Sequence, residues 1–481
     1  MLFNSLHFLA FFPLVTGLYF VLPYRLRPRF LLLASIYFYC VFIPVYVLIL
    51  AFTIVVDYTA GVLIESASRR RRALLLIMSI CANVGVLAVF KYVDFCFANL
   101  SAAAGLFHWQ VQLPHLGVAL PLGLSFHTFQ AMSYTIEVYR GRYPAERDFG
   151  TFALYVMFYP QLVAGPIERP QHLLPQLHAS HDFDYRRVTD GLRRMLWGFF
   201  KKVVVADRLA VLVDAVYKAP ARHGAPALLL ASYFFAFQIY CDFSGYSDIA
   251  IGTAQVMGIR LMENFARPYF AQSVGEFWHR WHISLSTWFR DYVYIPLGGN
   301  RVSRAWRYGN LMVVFVLSGL WHGANWTYVI WGTYHGIALI AADTLRRLRE
   351  RYWGPLPHKP LGVVGATKTM ITFATVCVGW ILFRANNLSD AALIIARLTS
   401  ASFWVQTIHV WPQSFGASSI LTALAAILLV VAFEHLNARE SVVEGFRRAP
   451  VWMRWSLYYA TVLLILLFGQ FGSRQFIYFQ F

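Results

Sequence analysis

Apolar stretches recur along the chain from Leu6 to Phe468 with no long polar block between them. A helix needs ~20 apolar residues to cross the hydrocarbon core of a bilayer, so the lengths of these stretches set the expected elements. The first, about Leu6 to Val21, has no Lys or Arg before Arg25 and is expected to stay as an anchor, not to be cleaved as a signal peptide. Phe30 to Glu65 is too long for one span and is broken near Pro44, which predicts a helical hairpin. Further spans are expected at about Leu74 to Val93, Val118 to Val138 and Leu228 to Met257. Later ones fall at about Leu311 to Ala342, long enough for a hairpin, Met370 to Phe383, Leu421 to Phe433 and Trp455 to Phe468. The pattern predicts an all-α polytopic integral membrane protein, residues 1–481 forming a single domain with roughly ten transmembrane helices.

Other apolar segments are too short or too interrupted to cross cleanly, notably Phe152 to Pro166 and Phe289 to Pro296. Irregular backbone is tolerated at membrane depth only if it is buried in protein or lines a water-filled cavity, so these segments are expected to be re-entrant walls of a central tunnel. The stretch Tyr185 to Tyr217 mixes Arg193, Arg194, Lys201 and Lys202 with Leu, Val and Phe. It is expected to be an amphipathic helix at the cytoplasmic interface. Residues 258–305 form a motif region on the cytoplasmic side, and residues 469–481 a C-terminal extracytoplasmic tail. No internal repeat is visible, which weakens a secondary-transporter reading.

Composition agrees with a membrane setting: 58% of the 481 residues are hydrophobic and 13% charged, against about 25% charged in soluble domains, and mean hydropathy is +0.53. The net charge of +18 comes from short clusters beside apolar segments, at Arg25/Arg27/Arg29, Arg69 to Arg72, Arg346/Arg347/Arg349/Arg351 and Arg447/Arg448. That is the positive-inside pattern, and it orients the N-terminus outward. A nucleic-acid partner would call for one continuous basic face, so none is expected; the surrounding partner is membrane lipid. Cys40, Cys81, Cys96, Cys241 and Cys377 are scattered singly with no C-x-x-C pair, indicating neither a disulfide framework nor a thiolate metal site.

Within Leu317-Ser-Gly-Leu-Trp-His-Gly-Ala-Asn-Trp326, His322 lies between two tryptophans inside an apolar stretch. An imidazole at membrane depth is costly without a partner or a water-lined cavity, which makes His322 the first candidate for chemistry. Four further motifs are polar, aromatic and often punctuated by glycine. They are Pro121-Leu-Gly-Leu-Ser-Phe-His-Thr-Phe-Gln130, Gln161-Leu-Val-Ala-Gly-Pro-Ile-Glu-Arg-Pro170, Tyr240-Cys-Asp-Phe-Ser-Gly-Tyr-Ser-Asp248 and Trp278-His-Arg-Trp-His-Ile-Ser-Leu-Ser-Thr-Trp-Phe-Arg-Asp-Tyr292. No Walker A or dinucleotide fingerprint appears, and Gly123-Leu-Ser-Phe-His lacks the second glycine of a serine-hydrolase elbow.

These motifs, with Leu297-Gly-Gly-Asn-Arg301 and the Trp-His-Gly-Ala-Asn-Trp run, resemble the membrane-bound O-acyltransferase family, in the branch that serves bacterial alginate O-acetylation. The likeness runs from Phe3-Asn4-Ser5 to Phe476-Ile-Tyr-Phe-Gln-Phe481. It implies tilted helices around a thin centre, a cytoplasmic funnel for an acyl thioester and an outer opening. It also implies a multi-pass protein of the bacterial inner membrane, with no bound cofactor, acetyl-CoA as donor substrate, and a periplasmic acetyltransferase- or esterase-like partner that completes transfer to polysaccharide. Peptidoglycan, cellulose or D-alanyl-teichoic acid are alternative acceptors, and a transporter without covalent chemistry is a different class of reading.

By the same resemblance His322 maps to the catalytic histidine and His282 to the second signature position. Acetyl transfer from thioester to hydroxyl needs a base for the hydroxyl proton, and a neutral imidazole suits that role. The oxyanion needs a donor; Asn325, three residues after His322, shares its face if the segment is helical. His279 and His282 at i, i+3 also admit a metal reading, but no Cys or His pattern completes a ligand set, and no metal is expected. His335 fits helix packing or gating better than a second base. Arg280, Arg290 and Arg301 suit either a phosphate-bearing donor or simple cytoplasmic topology. Asp242 and Asp248 would brace neighbouring helices or orient the histidine, and Glu168 would pair with Arg169 at the interface. The ending Phe476-x-Tyr478-x-x-Phe481 is similar to that of the small peptide accompanying the D-alanyl branch, which makes Tyr478 a candidate acyl relay; the alternative is an interfacial aromatic anchor.

Overall fold

Prolines and glycines decide where the apolar stretches break. In the computed structural model the Phe30 to Glu65 stretch becomes an Arg27–Cys40 helix with Pro28 in its first turn, a 3₁₀ turn Pro44–Tyr46 and a Val47–Ser66 helix. The structure describes residues 1–109, 111, 113–118, 120–354, 362–409, 416–439, 442–471 and 476–479. All regular structure among them is helical. Six helices are long and apolar enough to cross a membrane, or seven if the Leu388–Thr399 and Ala401–Thr407 pair, bent by 83°, is one span. The roughly ten crossings expected are not reached by this measure, because Leu6–Val21 and Leu124–Tyr139 are 16 residues each and the hairpin helices carry polar positions. The bent pair and the short apolar helix Val93–Leu106 were not among the expected elements.

The chain forms two compact units. The first comprises residues 1–195 and 247–263. Its helices Val47–Ser66, Arg69–Lys91 and Leu124–Tyr139 meet at the buried Asp57, whose carboxylate accepts hydrogen bonds from Ser79, from Thr135 Oγ1 (2.7 Å) and from Asn83 Nδ2 (2.8 Å). Polar side chains joining apolar helices in this way satisfy groups that lipid cannot. The span expected at Val118 to Val138 starts only at Leu124, after Gly123 in the left-handed region (φ 76°), where a Cβ would lie 2.6 Å from the Leu162 carbonyl. The interrupted stretch Phe152 to Pro166 contains the end of a Phe149–Met157 helix and a one-turn Tyr159–Leu162 helix, and every residue of it is buried.

Two expectations are corrected here. Glu168 is not exposed at an interface: its fully buried carboxylate accepts from Met262 N (2.6 Å) and pairs with His172 Nδ1 (2.6 Å), one helical turn on, with Arg169 adding a weaker attraction. The hydrogen bond to Glu168 raises the His172 imidazole above its ordinary range. The Tyr185 to Tyr217 stretch is not uniformly α-helical, and two of its basic residues are buried. A Tyr185–Phe199 helix runs into a π-helical Phe200–Ala206 segment and then an Asp207–Lys218 helix. Lys201 and Lys202 are only 3% and 4% exposed, which their neighbours Ser244, Asp207 and Asp242 make affordable.

The second unit comprises residues 196–246 and 264–481. Its centrepiece is the Arg304–His322 and Trp326–Trp353 hairpin, which replaces the Leu311 to Ala342 stretch with a break at residues 323–325. The two backbones touch: a Cβ on Gly319 would lie 2.2 Å from the Tyr328 carbonyl oxygen, and one on Gly332 would lie 2.1 Å from that of Phe315. Small residues permit this approach between apolar helices. Gly332→Val is therefore expected to lower thermal stability in detergent, by about 1–3 kcal/mol through overpacking. Gly309→Ala, in the same hairpin with open space around its Cβ, should leave the melting temperature unchanged or slightly raised.

Candidate functional site

The hairpin break sets the position of His322. The first helix ends on His322 itself, and Gly323 continues in extended backbone. The second helix starts behind Asn325, whose side-chain oxygen accepts the Thr327 N–H at 3.0 Å. His322 is 5% exposed, and aromatic rings surround it: Trp331 at 5.0 Å and perpendicular, Phe383 at 5.3 Å from the Val363–Arg384 helix, and Trp321 at 5.0 Å. Such rings keep bulk water away while their edges and faces still accommodate a polar imidazole.

His282 is reached by a different device. It links the short helices Val274–Arg280 and Ile283–Phe289 with backbone in the left-handed region (φ 44°), unusual for a residue with a Cβ. Asn264 holds this corner, its backbone carbonyl accepting Ile283 N–H (2.9 Å) and its side-chain oxygen accepting Ser284 Oγ–H (2.6 Å). The His282 ring is 1% exposed and meets Phe243 edge-on at 4.6 Å. Burial pulls its pKa down to about 3, so it is neutral at physiological pH.

The C-terminal segment brings Tyr478 to both histidines. Its ring centroid lies 5.5 Å from His322 and 6.5 Å from His282, stacks on Phe476 at 5.4 Å, and packs on Phe243 at 4.7 Å. Two imidazoles, that of His282 held neutral by burial, and one phenol thus share an aromatic enclosure. This set can move a proton from the phenol to an imidazole and so expose an oxygen nucleophile.

The other expected residues are distributed differently. Asn325 does not share a helical face with His322, because the helix ends between them; its amide instead caps the second helix and donates at 3.4 Å to the Asn386 carbonyl. Asp242 and Asp248 part company: Asp242 accepts the Ile477 N–H at 2.7 Å, next to Tyr478, whereas Asp248 pairs with Arg194 at 2.9 Å in the first unit. Arg280 pairs with Glu276 and Arg290 with Asp291, while Arg301 is exposed. His335 is fully buried against Trp278 (5.0 Å) and Trp331 (5.3 Å), so close to Gly379 that a Cβ there would lie 2.4 Å from Nε2. That is a packing position. His279 is exposed with Nδ1 on the Gly275 carbonyl, and among the described residues no three His, Cys, Asp or Glu side chains gather as metal ligands.

Sequence reasoning did not single out Lys202, Phe243, Asn264 or Phe383. A signal existed for Lys202, a lysine in the apolar run Phe199 to Val205 with Asp207 five residues on. Burying that charge demands a carboxylate.

Comparison with known proteins agrees with this architecture. Residues 144–383 match the model of MBOAT, the membrane-bound O-acyltransferase family. The chain is 42% identical over 438 residues to the Pseudomonas aeruginosa protein named "Probable alginate O-acetylase AlgI", covering 90% of this chain and 80% of that one. The Pseudomonas putida protein of the same name is 37% identical over the full length of both. A peptidoglycan O-acetyltransferase of Helicobacter pylori is 35% identical, over 82% of this chain and 79% of its own.

The geometry of Asn325 yields a separable expectation. Asn325→Ala should cost the helix cap about 1 kcal/mol, read as a lower melting temperature. Its turnover of acyl donor should stay within a few-fold of the parent, and a loss as large as that of a His322 variant would return Asn325 to the reacting groups.

Proposed function

The chain belongs to the membrane-bound O-acyltransferase family and is a multi-pass membrane O-acetyltransferase, and from that premise we propose how it acts and on what. It takes acetyl from a cytoplasmic thioester, acetyl-CoA, and delivers it across the bacterial inner membrane for O-acetylation of an extracytoplasmic polysaccharide. The acceptor is alginate, supported by the names of relatives that match nearly all of the chain. The observation that carries the chemistry is the placement of Tyr478 beside His322.

His322 accepts the proton of the Tyr478 hydroxyl as its oxygen attacks the thioester carbonyl. The new C–O bond forms, the C–S bond breaks, and the thiolate leaves with the proton returned by the imidazolium. The resulting tyrosyl ester then yields its acetyl to a hydroxyl of a periplasmic partner, the reverse proton transfer regenerating the phenol. His282, neutral and 6.5 Å from the same ring, supports binding of the thioester. Arg301, exposed near the same motif region, and Arg280 and Arg290, once released from their carboxylate partners, are candidates to meet the donor's phosphates. No protein-bound cofactor or metal is required by this scheme.

The Helicobacter relative supports a second acceptor, peptidoglycan, with unchanged chemistry. The test is polymer O-acetyl content in cells carrying the parent or His322→Ala, with membrane protein quantified and both polymers assayed. His322→Ala at normal protein level should lose about 10²–10⁴-fold in acetylation, the usual share of a general base; retained acetylation would favour a transporter without covalent chemistry. Tyr478→Phe should abolish transfer to the polymer, whereas an anchoring tyrosine would tolerate that change.

A further inference from the structure

The segment that carries Tyr478 is tied down on both sides, and both ties lead to the π-helical turn Phe200–Ala206. On the near side, where the Val451–Phe468 helix ends, Gln470 N–H donates to the Val203 carbonyl at 3.1 Å and Arg208 donates to the Phe468 carbonyl at 2.6 Å. On the far side, Ile477 N–H donates to Asp242 Oδ2 at 2.7 Å. The other oxygen of Asp242 lies 2.7 Å from Lys202 Nζ, which also holds Asp207 at 2.9 Å.

The π-helical geometry matters to both ties. Asp207 N–H reaches back five residues to Lys202, and the Val203 carbonyl turns to the tail. Single π turns inside longer helices often mark functional sites. Burying an ammonium between two carboxylates is a poor way to gain stability, since apolar packing of the same volume does as well or better. What the arrangement provides is a carboxylate oxygen held at a fixed place in an apolar setting, facing a backbone N–H one residue before Tyr478. Phe476, stacked beneath Tyr478, packs on Tyr246 at 4.8 Å, on the same helix as Asp242.

We propose that Lys202 and Asp242 form a latch that seats the C-terminal segment, Asp242 gripping the Ile477 N–H so that Tyr478 stands at His322 and His282. Both are positioning residues for the transfer step, and this role rests on the reading of Tyr478 as the acyl relay. Neither touches the donor, so losing the latch lowers turnover without changing the affinity for acetyl-CoA.

The test is hydrogen exchange of the terminal peptide in the full-length protein in detergent, run beside donor turnover. In Asp242→Ala the peptide around Ile477 should exchange about tenfold faster or more, the value of a lost hydrogen bond to a charged acceptor. The Arg304–His322 and Trp326–Trp353 peptides should keep their parental rates, kcat should fall by a similar factor, and KM for acetyl-CoA should hold. If Asp242→Ala does not fold, Ile477→Pro removes the donor, together with a buried isoleucine side chain, at the first residue of a 3₁₀ turn where proline is tolerated, and should give the same pattern, whereas Ile477→Val, which trims the side chain and keeps the N–H, should not. A terminal peptide that keeps its parental protection in both variants overturns the latch, as does a released tail with full turnover. Tyr478→Phe tests the relay separately: retained polymer acetylation with the tail still protected would sink the relay and leave the seating of the tail intact.

Discussion

The contact between Gly319 and Gly332 is the constraint on which the second unit depends. Where two helices approach until a Cβ would strike backbone, their relative register has little freedom, and the chain must turn from one to the other within residues 323–325. His322 is the last residue before that turn and Trp331 faces it from the second helix. The position of the imidazole follows from glycine packing and from the Asn325 cap, so His322 sits on rigid elements. Rigid placement matters because proton transfer in a group-transfer step is productive only over hydrogen-bonding distances.

The same economy of polar groups runs through both units. In the first, Asp57 is met by two hydroxyls and an amide, and Glu168 by an imidazole and a backbone N–H. In the second, Lys202 is met by Asp207 and Asp242. An apolar chain that retains such groups in its interior must satisfy each of them locally, and each satisfied group fixes two or three helices against one another. The histidines around Tyr478 follow another rule. They are packed among aromatic rings, and burial keeps the His282 imidazole neutral.

Much of this was legible in the sequence, for physical reasons that differ by residue. Spans such as Leu74 to Val93 and the break near Pro44 followed from apolar length and from proline. His322 stood out because an imidazole is expensive in an apolar stretch, and Tyr478 because the family resemblance extends to the last residues. Partners brought together by folding were not legible: Ile477 lies 235 residues from Asp242, and nothing local to either announces the other. The helical face that Asn325 would share with His322 does not form, because spacing of three implies a shared face only within one helix, and the helix stops. The burial of Lys201 and Lys202 was not legible either, because amphipathic spacing in a segment says nothing of a carboxylate arriving from another helix.

That buried lysine–carboxylate pair bears on mechanism. A chain in which Tyr478 carried acyl groups would need its tail to be neither free nor fused to the core: free, the phenol would seldom meet His322; fused, the ester could not be handed on. One backbone hydrogen bond, one from the Arg208 side chain and one carboxylate grip, bounded by aromatic stacking, are of intermediate strength, a few kcal/mol in total by the usual value of such bonds. Covalent continuity with the Val451–Phe468 helix keeps the tail at high effective concentration even when the grip opens. A buried ion pair is well suited to such a grip, because its geometry is set by charge and is retained when the tail departs, leaving the acceptor oxygen in place for its return.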